Sequence, residues 1–361
     1  MNRRNRILPA LAAALVMFAG ATTTLAQELT KEEQRERALS RLTLDPRDET
    51  NAALHYYRIM TGGFGEAATL VGERRTTDDW VPDAETSAAL ENEQGTLVQF
   101  IRASKMKECT WGTAYYTDGF EALLPALGKM RTAARLLSAD ARRLASQGES
   151  RQAAERLAAM YRIGDHVARE HILIGSLVGI AISALANGDV KLLMDKGWLD
   201  AESRAIIVTA AAQARAGDFS MKGAIAMERM VVDDWFRRVI RRPDAAEKLR
   251  EWTSMEGADE AKIDALRAMS PEQLGKELDE AVKFYDDAIA AFYLPEGEAL
   301  MKQLGKDVEA GRYGLFGSIF CPAFDKCRVS WGKGMAGIDD TIKLLGGAPV
   351  GQADAKPETK K

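Results

Sequence analysis

Two apolar stripes that meet at a glycine turn constrain the fold of this chain more than any other feature. Between Asp118 and Gln147, apolar side chains recur at alternating steps of four and three residues, which is the spacing of one helix face. A second stripe starts directly after Gly148-Glu149-Ser150. The stripes consist of Leu123, Leu127, Met130, Ala134, Leu137, Ala141 and Leu144, and of Ala153, Leu157, Met160, Gly164, Val167, His171, Ile174, Val178, Ala181 and Leu185. Since so short a turn folds two such stripes onto each other, we predict an antiparallel αα-hairpin.

Helical periodicity also dominates the rest of the chain, and strand signals are nearly absent. Asp118 is predicted to cap the first hairpin helix with Glu121 as its capping-box partner, although Pro125 allows a later start. Ser270 and Pro271 have the cap and first-turn chemistry of another helix. Further helices are predicted at 201–216, 219–242, 245–254 and 271–293, and across the last two cysteines. The predicted fold class is all-α, an antiparallel multi-helix array around the central hairpin with no significant sheet.

The segment 171–188 is uncharged and carries small residues at every fourth position. Gly175, Gly179 and Ser183 allow a neighbouring helix to approach closely. We interpret the segment as a fully buried central helix rather than a membrane span, because polar periodic helix flanks it. The hairpin also has the small-residue spacing of one tetratricopeptide-like helix pair, but no second copy follows at that period.

The first 26 residues have the pattern of an export signal. Three arginines precede an apolar run, and the small residues Thr24 and Ala26 stand before a predicted cleavage at Gln27. Both the general and the twin-arginine routes stay open. We therefore expect an exported protein, periplasmic or extracellular, with no integral membrane span once the signal is removed.

The charge balance of the mature chain argues against nucleic acid as a partner. The full chain has 49 basic and 53 acidic residues, and the signal takes away three basic ones, which leaves a net charge of −7. We predict a signal peptide at 1–26, an N-terminal helical region at 27–106, a main helical domain at 107–348 and a disordered tail at 349–361.

Three cysteines remain in the mature chain: Cys109, Cys321 and Cys327. A disulfide from Cys109 to one of the other two is the preferred prediction, since an oxidising compartment permits it. On one continuous helix Cys321 and Cys327 would point to different faces. Three free buried thiols are the alternative. No histidine has ligand spacing to a cysteine, so neither a metal nor a cofactor is predicted.

Two polar residues fall inside apolar stripes, namely His171 and Glu228. If their helices pack together they could form a hydrogen-bonded pair that moves a proton. A structural pair that fixes helix register is the favoured interpretation. The basic run Arg237, Arg238, Arg241 and Arg242 is interpreted as a solvated face beside Asp233 and Asp234, with an anionic partner or a membrane surface as the alternative.

The stretch KECTWGTAYYTDG, residues 107–119, combines a cysteine with aromatic residues between helical segments. Cys109, Trp111, Tyr115 and Tyr116 supply bulk, and Gly112 supplies backbone freedom. A thiol nucleophile would need a neighbouring base, and no histidine is near in sequence. We therefore predict a packing loop rather than a reactive site.

Cys109-Thr110-Trp111-Gly112, the following Leu-Leu-Pro helix, the glycine-turned hairpin and the LIGSLVGIAI helix resemble a set of exported, all-helical proteins of unknown function abundant in planctomycete bacteria. The resemblance covers roughly residues 109 to 235, and FCPAFDKCRVSWGKG echoes it more faintly. Thr110 stands where those proteins usually carry Asp, which weakens an acid–base role for the motif. The resemblance implies export and an all-α fold and brings no activity with it.

These observations favour a non-enzymatic interaction or scaffold protein of the bacterial envelope, whose partner is another envelope protein. The alternatives are a small-molecule or lipid-binding protein, or a hydrolase-like enzyme with a cavity near His171 and Glu228.

Overall fold

The computed structural model describes residues 50–245, 247–248 and 260–347. The predicted signal peptide, the predicted tail and most of the predicted helix at 245–254 lie outside the described residues. Within the described part the chain is helical and contains no strand, and one isolated bridge joins Asn51 to Glu108. The all-α prediction is therefore confirmed.

The α-helices of the first half are α1 (Ala52–Thr61), α2 (Glu66–Arg74), α3 (Ala84–Asn92), α4 (Gln94–Ser104), α5 (Tyr115–Asp118), α6 (Pro125–Ser146), α7 (Ser150–Ala168) and α8 (Leu173–Asp195). The second half contains α9 (Ala201–Ala216), α10 (Met221–Met230), α11 (Phe236–Val239), α12 (Glu260–Arg267), α13 (Pro271–Ala291), α14 (Gly297–Glu309), α15 (Gly314–Phe320) and α16 (Phe324–Leu344). Short 3₁₀ turns cover Gly119–Glu121 and Asp218–Ser220, and a π-helix covers Val231–Trp235.

The chain forms two compact units that are interleaved in sequence. The first, here called the core unit, contains the described residues 50–111, 125–224 and 329–347. The second, here called the aromatic unit, contains the described residues 112–124, 225–245, 247–248 and 260–328. Within the core unit, α4 packs against α6 and α7 and so joins the N-terminal helices to the hairpin. The predicted boundary at residue 106 stays a prediction.

The hairpin lies at the centre of the core unit. Helices α6, α8 and α9 all pack against α7, and Gly148 forms the predicted turn with φ +86°. The predicted cap at Asp118 is wrong: α6 begins at Pro125, since Gly119 takes a positive φ of +53° and a short 3₁₀ turn follows it. Proline suits a first helical position because its missing N–H has no intrahelical partner there.

The second stripe is not one continuous helix. Helix α7 ends at Ala168 and α8 begins at Leu173, and His171 lies in the turn between them with φ +56°. His171 is exposed there, so its predicted place on a buried stripe is wrong. The periodicity continued across the turn because the two separate helices both bury apolar faces.

The predicted close approach along the small-residue stripe is confirmed. A Cβ atom placed on Gly179 would lie 2.4 Å from the carbonyl oxygen of Gly164, so α7 and α8 touch backbone to backbone. Among the described residues, α8 is the one helix whose length and composition would suffice for a membrane span. Of the most apolar 18-residue stretch of this helix, 61% is buried inside the structure.

The later helices follow the prediction in part. Helix α9 has the predicted bounds, and α13 has the capping box of Ser270 and Gln273 with Pro271 in its first turn. The predicted helix 219–242 is instead α10, a π-helix and α11, preceded by left-handed residues at 218–220. The predicted helix across the last cysteines is split, with Cys321 after α15 and Cys327 in α16. Pro322 interrupts the helical hydrogen bonds between them.

Candidate functional site

The Cys109–Trp111 segment packs into the core unit against α1 and α7. Trp111 Nε1 donates a hydrogen bond of 2.8 Å to the carbonyl oxygen of His166. The Trp111 ring stacks on Tyr56 at 5.8 Å between centroids, and Tyr56 stacks on Phe100 at the same distance. Asn51 caps α1 and also bonds both the amide and the carbonyl group of Thr110, at 2.9 Å each. These contacts favour the packing interpretation of the segment.

A buried tyrosine–histidine pair lies beside this segment, and no periodic pattern in the sequence indicates it. Tyr56 Oη is 2.9 Å from His166 Nδ1. Burial, followed by the charge of Arg169, lowers the pKa of His166 to about 4, and burial raises the pKa of Tyr56 well above its usual value. Both groups are therefore neutral near pH 7, and one hydrogen bond joins them, with its donor set by the tautomer of the imidazole.

Cys109 is held as a neutral thiol in the same region. Burial raises its pKa, the charge of Arg169 opposes that rise, and the carboxylates of Glu170 and Asp165 add to it. Because the thiolate is the nucleophilic form, a thiol in this environment reacts slowly. The geometry therefore offers no activated nucleophile at Cys109.

The remaining residues of the motif belong to the aromatic unit. Gly112 is exposed with φ +71°, Tyr115 is buried and Tyr116 is exposed. The guanidinium of Arg238 lies 4.4 Å from the centre of the Tyr116 ring, a cation–π contact. The motif thus contributes to both units rather than forming one loop.

The two candidates for proton transfer fall in different units. His171, in the core unit, lies over Gly223, where a Cβ would be only 2.8 Å from its Nδ1 atom. Glu228, in the aromatic unit, is half-buried on α10. His171 does not lie on a buried helical stripe, so the two residues lack the shared setting from which the pair was predicted. A His171–Glu228 pair stays a prediction.

Glu228 lies instead in an electrostatic cluster of the aromatic unit that sequence reasoning missed. Its charge raises the pKa of Tyr285 and of Cys327, in each case after burial as the larger cause. Cys321 adds to the effect on Tyr285. The Tyr285 hydroxyl is fully buried and has no hydrogen-bond partner among the described residues. No sequence pattern brings α10, α13 and the cysteine segment together, because the three are far apart along the chain.

All three cysteines are free thiols in the structure. Burial raises the pKa of Cys321, and burial with Glu228 and Asp325 raises the pKa of Cys327 to about 12. A disulfide from Cys109 to either of them stays a prediction for the protein in an oxidising compartment.

Two buried carboxylates organise the polar interior of the core unit, and both were missed by sequence reasoning. Asp189 is fully buried and accepts from Arg142 at 2.6 Å, from Arg75 at 3.1 Å and from Ser138. Arg142 also donates to the carbonyl oxygens of the 78–80 loop. The network therefore ties α2, α6, α8 and this loop together.

Asp140 forms the second buried centre. It accepts from Arg143 at 2.8 Å, from Arg156 at 2.9 Å and from Gln94 at 3.0 Å. Every oxygen and guanidinium of the two centres has partners, so the clusters are structural networks with no group left for chemistry.

Concave surface occurs in the aromatic unit. One groove of about 380 Å³ lies between the segment 237–241 and the first two turns of α13. A second of about 320 Å³ lies around Gly311 and Gly314. Both are open to solvent. In the described part of the chain, no three or more His, Cys, Asp or Glu residues are grouped so as to hold a metal ion.

No protein-family profile, curated protein or solved structure matches this chain.

Proposed function

We propose that this protein is an exported, non-enzymatic helical protein that binds a partner protein through its surface. The observation that carries the proposal is the state of its thiols and its buried histidine. Burial keeps Cys109, Cys321 and Cys327 protonated, and His166 is neutral and already bonded to Tyr56. A nucleophile or general acid–base group would need a pKa near the working pH and access to a substrate.

The aromatic unit supports the binding part of the proposal. Tyr116 is 47% exposed and Leu123 is 66% exposed, and Arg238 stacks over the Tyr116 ring. Tyrosine and arginine are enriched among the residues that contribute most to protein–protein affinity. We call the surface formed by Tyr116, Leu123 and Arg238 the binding platform. Because a rigid surface has little freedom to lose, it loses little conformational entropy when a partner binds.

Trp235 makes that platform rigid. Its Nε1 atom donates to the carbonyl oxygen of Thr117 at 3.2 Å. Gly119 lies directly on the indole, since a Cβ there would come within 2.0 Å of the ring. The segment 115–124 is thereby pinned beside the helical residues that carry Arg238.

The proposal is tested by affinity capture from envelope extract with the full exported chain as bait. We expect a protein partner that the wild type retains and the double variant Tyr116→Ala, Leu123→Ser loses. Leu344→Ser is the matched control, since Leu344 is 46% exposed and belongs to the core unit. Retention of no protein by the wild type, or turnover of a substrate by the purified chain, would contradict the proposal.

Export is tested separately by N-terminal sequencing of protein from the envelope fraction. We expect the mature chain to begin at Gln27. Full-length protein in the cytosol would remove this part of the proposal.

A further inference from the structure

The groove between residues 237–241 and α13 has an apolar lining and more basic than acidic side chains around it. Ile240, Pro271 and Gly275 supply its apolar lining. A Cβ atom on Gly275 would meet no atom within 4 Å, so the missing side chain leaves open space along the groove. A concavity of about 380 Å³ is large enough for one or two side chains of a bound segment.

The cations of the groove are not equally neutralised. Arg237 bonds Asp233 at 2.8 Å and Asp279 at 2.6 Å, so its charge is already matched. Lys276 has a single contact of 3.2 Å to Glu272, and both side chains are largely exposed. An exposed pair of this kind contributes little energy and opens readily.

Arg241 is the cation of the groove whose charge is not matched by a carboxylate of the described residues. It is exposed, and no carboxylate of the described residues lies within ion-pair distance of it. A guanidinium binds a carboxylate through two parallel hydrogen bonds, which gives both affinity and orientation. The lining therefore carries a net positive charge in a chain whose formal net charge is −4.

We propose that this groove binds a short acidic segment of a partner protein, with one carboxylate on Arg241 and an apolar side chain against Ile240 and Gly275. The inference rests on the proposed function and names the chemistry of the partner. Glu272 and Asp279 line the same groove and would repel a phosphate-rich surface. The mixed charge therefore favours a peptide, whose backbone amide groups can donate to those carboxylates, over an anionic membrane.

The test measures fluorescence anisotropy of a fluorescein-labelled peptide of alternating Glu and Leu, titrated with the full chain at low and at physiological ionic strength. We expect saturable binding, and at least about tenfold weaker binding of the matched Gln and Leu peptide, because a hydrogen bond between two ionised groups is stronger than one to a neutral amide. Arg241→Gln should weaken the Glu peptide by a similar factor and leave the Gln peptide unchanged.

Gly275→Phe fills the groove and should abolish binding. Its matched control is Gly305→Phe, on α14, where a Cβ also meets no atom within 4 Å. Far-ultraviolet circular dichroism checks that both variants are folded, and Arg241→Gln tests the site independently of the phenylalanine.

Several outcomes would overturn the inference. Equal binding of the Glu and Gln peptides, or full binding by Gly275→Phe, would place the peptide elsewhere. Binding to phosphatidylglycerol vesicles that Gly275→Phe abolishes, without peptide binding, would identify an anionic lipid surface as the occupant. Capture of a partner that depends on Tyr116 but not on Gly275 would keep the proposed function and reject the groove.

Discussion

The two units of this protein are stabilised by different interactions. In the core unit the carboxylates of Asp140 and Asp189 are fully buried, and each is bonded to two arginines. In the aromatic unit the arginine–aspartate pairs, such as Arg229 with Asp286, lie at the surface. Its interior instead contains packed rings, such as Phe236 against Phe316 at 4.7 Å.

The two kinds of interaction differ in how strictly they fix the packing of the surrounding helices. A buried ion pair is costly when one partner is removed, so the networks of Asp140 and Asp189 penalise every wrong register of the surrounding helices. Ring packing is less directional, and the aromatic unit also contains the π-helix. Buried hydroxyls without a hydrogen-bond partner among the described residues occur in both units, at Ser176 and Ser183 in the core unit and at Tyr285 in the aromatic unit. We infer that substitutions in the interior of the core unit cost more stability than substitutions in the interior of the aromatic unit.

The largest effect is expected for Asp189→Ala. It leaves Arg142 buried without its carboxylate, which should lower the free energy of unfolding by about 3–5 kcal/mol. Urea denaturation measures this loss. Asp339→Ala is the control in the same unit, because its pair with Arg215 is partly exposed and should contribute about 0–1 kcal/mol. Similar losses for both variants would break the distinction between buried and surface pairs.

The pH dependence of the core unit comes next. Since the pKa of His166 is about 4 when folded and about 6.5 when unfolded, the unfolded state binds the proton first as pH falls. The stability that depends on neutral His166 is full above pH about 6.5 and is lost as pH falls through about 4, with a total of about 3 kcal/mol.

Urea denaturation at a series of pH values measures this loss, and His166→Gln should lack it. Tyr56→Phe is the comparison variant. It removes the hydrogen bond but keeps the imidazole buried, so most of the pH dependence should persist. If the wild type and His166→Gln respond alike to acid, the buried imidazole is not the responsible group.

Backbone contact between α7 and α8 predicts a smaller loss. Gly179→Ala places a methyl group against the Gly164 carbonyl and should destabilise the protein by about 1–3 kcal/mol, because the helices must separate. Gly188→Ala, on the same helix but with open space at its Cβ, should instead stabilise by up to about 1 kcal/mol. Thermal denaturation measures both changes in stability. If both variants are stabilised or both are destabilised, the helices do not approach as closely as described.

The smallest effect is expected for Asp286→Asn in the aromatic unit. Its contacts with Arg229 are 2.6 and 3.1 Å long but lie at the surface, so the loss should stay within about 1 kcal/mol and shrink in high salt. Urea denaturation at two salt concentrations checks this. A loss as large as that of Asp189→Ala would remove the contrast between the units.

The helical hairpin could be read from the sequence because its signals are local. The spacing of Leu127, Met130 and Leu137 and the turn at Gly148 depend on residues within a few turns of one another. The capping box of Ser270 was predictable for the same reason. The break at His171 was not, since an apolar stripe continues in phase through a turn when the helices on both sides face the same interior.

In the candidate site, too, local features could be predicted from the sequence and contacts between distant residues could not. Cys109 and Trp111 were recognised as packing residues from their composition, but their partners Tyr56 and His166 were not. The sequence indicated only the basic run that contains Arg241. The groove itself was not predictable, because Gly275 and Pro271 come next to this run only when the chain folds.

The sequence by itself determined the helical class, the central hairpin, the small-residue contact face and most helix positions, since periodicity and capping act over neighbouring residues. Tertiary structure alone decided the interleaved units, the buried carboxylates and the groove. Arg75 and Asp189 are 114 residues apart, and no local pattern indicates which charges will share an interior. Their pairing is fixed by the cost of burying either charge alone, a cost that arises only once the helices are packed.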